Sequence, residues 1–238
     1  MGGIRNETVL IGAVTAAQRQ RMFELMEASY YGMERDAFEG DLEEKEAVFF
    51  LIDAADGRIV GFSTVTVLDL DVRDSRVKAI FSGDTIVEDA HRHSNGLGLE
   101  LGKFFRSCMR RFPSMPIFWL LTSKGCRTYG LLPILFKEFF PRYDAPTPDF
   151  HAELMRVFGA LKYPSSYHPA ANLVRHGGDP QRLKPGVADA AGRRLDDPHT
   201  RFFVAANPGH MRGDDLVCAA EVREENFSRL FLRLLDRT

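Results

Sequence analysis

One acidic residue interrupts a segment of strand-forming residues, which makes it a candidate for chemistry. Asp84 lies within residues 78–87, a stretch otherwise rich in apolar and β-branched side chains. An ionised carboxylate is costly to bury unless it is paired or has a catalytic task. It could pair with a nearby arginine, or with backbone in a bulge at Gly83, because a glycine inside a strand often marks a bulge. The pattern leaves the structural and the catalytic interpretation open.

A glycine pair follows at the predicted start of a helix. The loop 88–95 is polar, and the next apolar residues have helical spacing, at Leu97, Leu101, Phe104, Phe105, Cys108 and Phe112. Gly96 and Gly98 let the backbone approach a ligand closely, and the first turn of a helix has unpaired amides that favour an anion, most often phosphate. The third glycine of a dinucleotide fingerprint and the Lys-Ser/Thr pair of a P-loop are both absent.

This stretch resembles the acyl-CoA loop of the GNAT superfamily of N-acyltransferases, whose pattern is Gln/Arg-x-x-Gly-x-Gly/Ala. The match is His93-Ser94-Asn95-Gly96-Leu97-Gly98, with histidine at the first position and a slightly longer loop than is common. The resemblance implies that acetyl-CoA or a longer acyl-CoA is the cosubstrate, with no metal. It also implies which backbone groups hold the donor: for the pyrophosphate the amides of Asn95, Gly96, Leu97, Gly98 and Leu99, and for the pantetheine arm those near Ile86 and Val87.

The polar loop before the glycines offers further groups to a phosphate. Arg92 or His93 could supplement the amides, and a solvated polar loop would explain both residues equally well. A metal site built on His91 and His93 lacks an evident third ligand.

The same resemblance suggests catalytic residues. Family members often place a carboxylate base on this strand, so Asp84 is the candidate general base, directly or through water, with Glu88 as a weaker substitute. The family pattern Asn-x-x-Ala-x-x-x-Tyr overlays on Tyr129, on a leucine and on Phe136, where the family has the tyrosine near the leaving sulfur. Phenylalanine cannot donate a proton, so Tyr129 is the candidate general acid, with Tyr143 or solvent as alternatives.

Other residues could contribute to catalysis or to binding of the acceptor. Tyr30 and Tyr31 occupy the segment that lines the acceptor side in the family, where aromatic residues suit either an apolar acceptor or core packing. Cys126, near a predicted helix start, raises a covalent acyl-cysteine route, with a small buried residue as the alternative.

Composition excludes several classes of protein. The net charge of −2 over 238 residues argues against a nucleic-acid binder that relies on phosphate neutralisation. No apolar run is long enough to span a bilayer, and the first residues lack the core of a secretion signal. The three cysteines have no metal spacing and suit a reducing compartment. A cytoplasmic protein is the default expectation.

The elements that must position these residues follow from hydrophobic periodicity and turn signals. Strands are predicted at residues 8–14, 47–53, 58–67, 78–87, 117–121, 201–206 and 215–222. Helices are predicted after an N-cap at Thr15, and at 34–45, 97–112, 126–140, 148–158 and 227–235. A charged connection is predicted at 69–76. The Asp-Gly turn at 56–57 predicts a hairpin.

This order matches the GNAT order over about residues 5–140. The expected fold is α/β, with a mixed, mostly antiparallel central sheet flanked by helices and a C-terminal insertion before the last two strands. Residues 1–140 would form the GNAT-like core, 141–199 an insertion or lid, and 200–238 the strands and helix that complete the same domain. A small appended domain is the alternative for the last part.

The resemblance implies an N-acyltransferase that moves an acetyl or longer acyl group from acyl-CoA to the amine of a small-molecule acceptor. One alternative is an enzyme like the long-chain N-acyl amino acid synthases, which use an acyl carrier protein. It predicts a basic rim, for which Arg106, Arg110 and Arg111 are candidates or simply a solvated face. Another is a GNAT-fold binding protein without catalysis, which the phenylalanine at 136 favours. A homodimer is also open, and no residue identifies the acceptor.

Overall fold

A mixed, mostly antiparallel sheet forms the centre of the protein, as the sequence predicts. The computed structural model describes residues 3–177, 182–184 and 196–237. Its strands are β1 (Ile4–Leu10), β2 (Tyr30–Tyr31), β3 (Ala47–Asp53), β4 (Ile59–Val72), β5 (Ser75–Val87), β6 (Ile117–Ser123), β7 (Tyr167–His168), β8 (Leu173–Val174), β9 (Arg182–Leu183) and β10 (Asp215–Glu221). Eight of them form one sheet in the order β1-β3-β4-β5-β6-β10-β8-β7, and only the β5–β6 pair is parallel.

Helices cover both faces of this sheet. They are α1 (Ala16–Ser29), α2 (Arg35–Glu43), α3 (Gly96–Arg111), α4 (Cys126–Tyr129), α5 (Leu131–Leu135), α6 (Asp149–Lys162), α7 (Pro198–Ala206) and α8 (Arg229–Leu235). One face packs against α3, α4, α5, α7 and α8, and the other against α1, α2 and α6. Alternate residues of β6 enter the two cores, Trp119 on the α3 side and Leu120 on the α6 side. A continuous apolar strand is therefore buried on both faces.

Several local predictions are confirmed. Thr15 caps α1 through a capping box with Gln18. The β3–β4 hairpin turns at the predicted Asp-Gly pair, where Gly57 has a φ of +74°. Gly83 lies in a bulge, because Ser63 faces Thr85 but Val65 faces Ser82, so β5 has one extra residue there.

The predicted connection at 69–76 is wrong. β4 and β5 form one long hairpin that continues through this segment and turns at residues 73–74, with Arg73 at a φ of 53°. Leu70, Val72 and Val77 are buried while the intervening charged residues point outward. This alternation is the pattern of a strand with one buried face, and the density of charge conceals it. The first strand also begins and ends earlier than predicted, at Ile4–Leu10.

Two predictions in the second half of the chain are also wrong. Residues 126–140 do not form one helix: α4 and α5 are short, and the chain is then bridged as an extended segment to Phe227 and Ala219. Residues 201–206 are not a strand but belong to α7. Asp197 accepts a hydrogen bond from the Thr200 amide and Pro198 occupies the first turn, which is a favourable helix start.

The segment after residue 140 supplies strands to two sheets. In the central sheet, β8 pairs with the start of β10, which in turn pairs with β6. In a separate two-stranded sheet, β9 pairs with β2. Strands at 201–206 and 215–222 are expected from the sequence to complete the sheet, and the second of these, β10, does so. The predicted division at 140 and 199 stays a prediction, and residues 178–181 and 185–195 of the expected lid lie outside the described residues.

Within the described residues, no helix combines the length and the apolar character needed to cross a membrane.

Candidate active site

The site is built where two parallel strands separate. β5 and β6 pair only from Lys78 with Ile117 to Phe81 with Leu120. Beyond this point β5 continues to Val87 and β6 to Ser123 without pairing to each other, so the carboxyl ends of the two strands diverge. Asp84 lies on the part of β5 that pairs with β4 but not with β6, in the bulge opposite Thr64. Backbone groups and side chains on the inner edges of both strands therefore border one opening.

The first turn of α3 lies at the same end of β5 and offers free backbone donors. The Gly96 amide donates to Ser94 Oγ (3.2 Å) and the Leu99 amide to the Asn95 carbonyl (3.0 Å). Among the described residues, the amides of Asn95, Leu97 and Gly98 have no acceptor. No side chain of the described residues caps this helix, and its first turn contains no acidic residue. This start can hold an anion.

The two glycines of the loop have different structural surroundings. A Cβ on Gly96 would lie 2.9 Å from Asn6 Cγ and closer still to Asn6 Oδ1 and Leu51 Cδ2, so a larger residue at 96 would force these two side chains to shift. A Cβ on Gly98 would meet no atom of the described residues within 4 Å. Packing therefore explains Gly96 and leaves Gly98 without a structural requirement.

The polar loop before α3 is held by its own ion pairs. Arg92 pairs with Asp89 and donates from Nε to the Val87 carbonyl (3.4 Å), while His93 is exposed. Glu88, the weaker candidate base, is paired with Arg21 and Arg58. The Glu88 carboxylate is thus already engaged by two guanidinium groups, which makes it a weaker candidate than Asp84 for contact with a substrate.

Asp84 has the opposite surroundings. Its side chain is half-buried, and no described residue forms a hydrogen bond or an ion pair with it. Burial, followed by the charge of Asp41, raises the pKa of Asp84 to about 6, and the charges of Lys45, Lys124 and Lys162 oppose the rise. The arginine partner or bulge hydrogen bond that a structural role would require is not formed among the described residues.

Sequence reasoning missed the residues on the other side of the opening. Lys124 follows β6 directly, and Asp215 begins the adjacent β10. The Asp215 carboxylate is 4% exposed and lies 2.8 Å from His176 Nε2 and 3.9 Å from Lys124 Nζ. These three residues come from distant parts of the chain, so no spacing joins them. A charged residue at the end of an apolar strand was the one available signal.

Tyr30 lies between the two sides. The Lys124 ammonium is 5.5 Å from the centre of its ring. Burial, and then the charges of Asp84 and Asp215, raise the pKa of the Tyr30 phenol. Tyr31 is exposed beside Lys184, a residue of the predicted insertion, and the Lys184 amide donates to the Ser29 carbonyl. Lys184 thus contacts the predicted acceptor segment.

The candidate acid Tyr129 is not at this opening. Its side chain is fully buried, its hydroxyl donates to the Pro141 carbonyl (2.9 Å), and its ring packs against Phe203. Phe136 lies in the same core and stacks on Trp119. An enclosed phenol with a protein acceptor cannot readily donate to a ligand, so the acid role of Tyr129 has no geometric support and stays untested. Burial also raises the pKa of the Cys126 thiol, which disfavours an acyl-cysteine.

The remaining predicted residues line the end of β5. Ile86 pairs with Phe62 and Val87 with Gly61, on the edge of β5 that faces β4. The Ile86 side chain is buried under α1 and α2. The described residues contain no group of three or more His, Cys, Asp or Glu side chains placed to hold a metal ion.

A separate cavity of about 510 Å³ lies between α6 and α7 and shares no residue with this opening. Its charged residues neutralise one another, with Arg156 paired to Glu153 and Arg73 to Asp149. We assign no chemistry to it.

Part of the chain is similar to solved structures of N-acyltransferases. A match to an Enterococcus faecalis protein, described as a probable N-acyltransferase, has 12% identity and a TM-score of 0.44, and covers 58% of this chain and 33% of that one. Glucosamine-6-phosphate N-acetyltransferase from Arabidopsis thaliana has 14% identity and a TM-score of 0.38, and the match covers 54% of this chain and 87% of that one. Saccharomyces cerevisiae N-myristoyltransferase, solved with bound myristoyl-CoA, has 13% identity and a TM-score of 0.38, and the match covers 50% of this chain and 31% of that one.

The chain thus spans about a third of the length of the first and the third of these proteins. No protein-family model and no curated protein matches the chain.

Proposed function

We propose that the protein transfers an acyl group from acyl-CoA to the amine of a small molecule. The observation that carries this proposal is Asp84, a half-buried carboxylate without a described partner and with a pKa of about 6. It lies at the point where β5 and β6 separate, on the strand that leads to the free amides of α3. A base poised just below neutral pH, beside an anion site, suits proton removal from an amine that attacks a thioester.

Each group has a distinct role in this mechanism. The amides of Asn95, Leu97 and Gly98 bind the pyrophosphate of the donor, and backbone near Ile86 and Val87 holds its pantetheine arm. The ammonium first gives one proton to solvent. The free amine then forms a C–N bond to the thioester carbonyl carbon and loses a second proton to Asp84, directly or through water. The C–S bond then breaks, and the thiolate takes up a proton.

Protonation of the thiolate does not require the missing family tyrosine. A thiol has a pKa near 8.5, so a thiolate leaves without strong acid assistance near neutral pH. Solvent can supply the proton. Tyr30 stays protonated because burial raises the pKa of its phenol, so it can donate a hydrogen bond to the sulfur but is a weaker acid than the thiol.

Release of free CoA thiol from acetyl-CoA, octanoyl-CoA and palmitoyl-CoA, measured with a panel of amines, tests the proposal. The three cysteines are buried, so a thiol reagent reports CoA rather than protein thiols. Asp84→Asn should lower kcat by about 10²- to 10⁴-fold, the usual contribution of a general base. Asp71→Asn, which makes the same change at an exposed site on β4, should retain activity.

Two results would contradict the proposal. The first is thiol release by Asp84→Asn at the wild-type rate, which would remove the base from the mechanism. The second is the absence of CoA binding by calorimetry, which would remove the donor.

The carrier-protein alternative has weaker support from the charges. Arg106 is paired with Glu224 and Asp236, and Arg111 with Glu46, so two of the three arginines expected to form a basic rim are already neutralised. Thiol release from an acylated carrier protein, but not from any acyl-CoA, would favour this alternative.

A further inference from the structure

The Lys124 side chain is largely buried but its ammonium has no hydrogen-bond acceptor among the described residues. The side chain is 19% exposed, and its Nζ lies 3.9 Å from Asp215 Oδ2, which is beyond hydrogen-bond distance. The other contact of Nζ is the face of the Tyr30 ring. An ammonium has three donors, and those of Lys124 are therefore open to solvent or to a ligand.

Neighbouring cations differ in this respect. Lys45 Nζ lies 2.7 Å from Asp41 Oδ2, and Lys162 Nζ lies 2.5 Å from Glu44 Oε2. The carboxylate nearest to Lys124 is already engaged, because Asp215 Oδ2 is 2.8 Å from His176 Nε2. Three lysines lower the pKa of Asp84 through their charges. Among the described residues, Lys124 is the one of these three without a carboxylate within hydrogen-bond distance.

Lys124 lies near the candidate base Asp84, so its charge affects which molecules can bind beside that base. The charge of Lys124 lowers the pKa of Asp84, and the charges of Asp84 and Asp215 raise the pKa of the Tyr30 phenol. Lys124 follows β6 directly and Asp84 lies on β5 beyond its last pair with β6, so both border the space between the diverging strands. An amine enters this space as a cation, which Asp84 attracts and Lys124 repels. A negative group on the same molecule would convert that repulsion into an ion pair.

We propose that Lys124 binds an acidic group of the acceptor, so that the acceptor is an amine that also carries a carboxylate or a phosphate. This inference rests on the proposed function, because it names the substrate class of the same site. Lys124 then acts as a specificity residue, and Asp215 with His176 holds it in place over Tyr30. A carboxylate or phosphate at Nζ would supply the hydrogen bonds that the protein does not.

Matched amine pairs that differ only in the acidic group test this inference. Calorimetry, with and without CoA, would compare glycine, alanine and phenylalanine with their amides, and 2-aminoethyl phosphate with ethanolamine. The variants are Lys124→Met, Lys124→Arg and the control Lys137→Met. Lys137 is exposed and bonds the Glu225 carbonyl, beyond the opposite end of β10. Thiol release from acetyl-CoA is measured on the same samples.

The wild type, Lys124→Arg and Lys137→Met should bind at least one acid about 10- to 100-fold more tightly than its neutral partner, the range of a charge-assisted hydrogen bond. Lys124→Met should lose this preference. A preference within the amino acid and amide pairs would indicate a carboxylate, and a preference within the 2-aminoethyl phosphate and ethanolamine pair would indicate a phosphate. Equal affinity within every pair in the wild type, no saturable binding by any member, or an unchanged preference in folded Lys124→Met would each overturn the inference.

The two proposals fail in different ways. Acid preference without thiol release from acyl-CoA would leave the anion site in place and remove the acyl-transfer function. Thiol release with acidic and neutral amines alike would retain the function and remove the role of Lys124.

Discussion

Two substitutions of the same kind, two residues apart, should have opposite effects on stability. Gly98→Ala places a methyl group where no atom in the described part of the chain lies within 4 Å, whereas Gly96→Ala places one against Asn6 and Leu51. If packing alone required both glycines, the two variants would lose stability together. If Gly98 is kept for close approach of the donor, its replacement should impair binding without unfolding the protein.

The magnitudes follow from the surroundings of each glycine. Alanine is favoured over glycine in a helix by up to about 1 kcal/mol, so Gly98→Ala should leave Tm unchanged or raise it by roughly 2–4 °C. A methyl group at the approach surface should disrupt one amide–phosphate hydrogen bond, worth about 1.5–3 kcal/mol, and weaken CoA binding about 10- to 100-fold. Overpacking at Gly96 should cost about 1–3 kcal/mol.

Thermal unfolding and calorimetric titration with CoA, on both variants and the wild type, measure these effects. The reasoning is refuted if Gly98→Ala binds CoA as tightly as the wild type. It is also refuted if Gly98→Ala lowers Tm as much as Gly96→Ala does.

Three further predictions concern single side chains. Because burial raises the pKa of Asp84 to about 6, ionisation of this carboxyl destabilises the folded protein as pH rises from about 4 to about 6. Asp84→Asn should therefore be more stable than the wild type by up to about 3 kcal/mol near pH 8, and no more stable below about pH 4. Urea unfolding at the two pH values measures the difference. Lys45→Met should move the acidic limb of the kcat profile to higher pH, since the Lys45 charge lowers the pKa of Asp84; an unmoved limb would contradict this. Tyr129→Phe should lower stability by about 0.5–1.5 kcal/mol through loss of the Pro141 hydrogen bond and leave thiol release intact, whereas lost turnover would restore its acid role.

The features that the sequence predicts are those encoded locally. The glycines at the start of α3 and the bulge at Gly83 are short-range patterns with one physical cause each, and both are found where expected. The same is true of the β3–β4 hairpin and of the cap at Thr15. In each case the residues that determine the conformation are neighbours in the chain.

Features that depend on distant residues were not predictable. Lys124, His176 and Asp215 meet only because β10 pairs with β6 and β8. The strand predicted at 201–206 is a helix because the cap at Asp197 acts on an apolar segment without clear alternation. Tyr129 and Phe136 face the core rather than the opening, which depends on how α4 and α5 pack and not on their spacing.

The position of β10 has a consequence for the order in which the protein can assemble on the ribosome. This strand is translated late, yet it separates β6 from β8, which are made well before it. Until residues 215–221 emerge, the apolar β6 presents a bare edge that another nascent chain could join. Chaperone capture of the growing polypeptide should therefore be strongest between completion of β6 and emergence of β10.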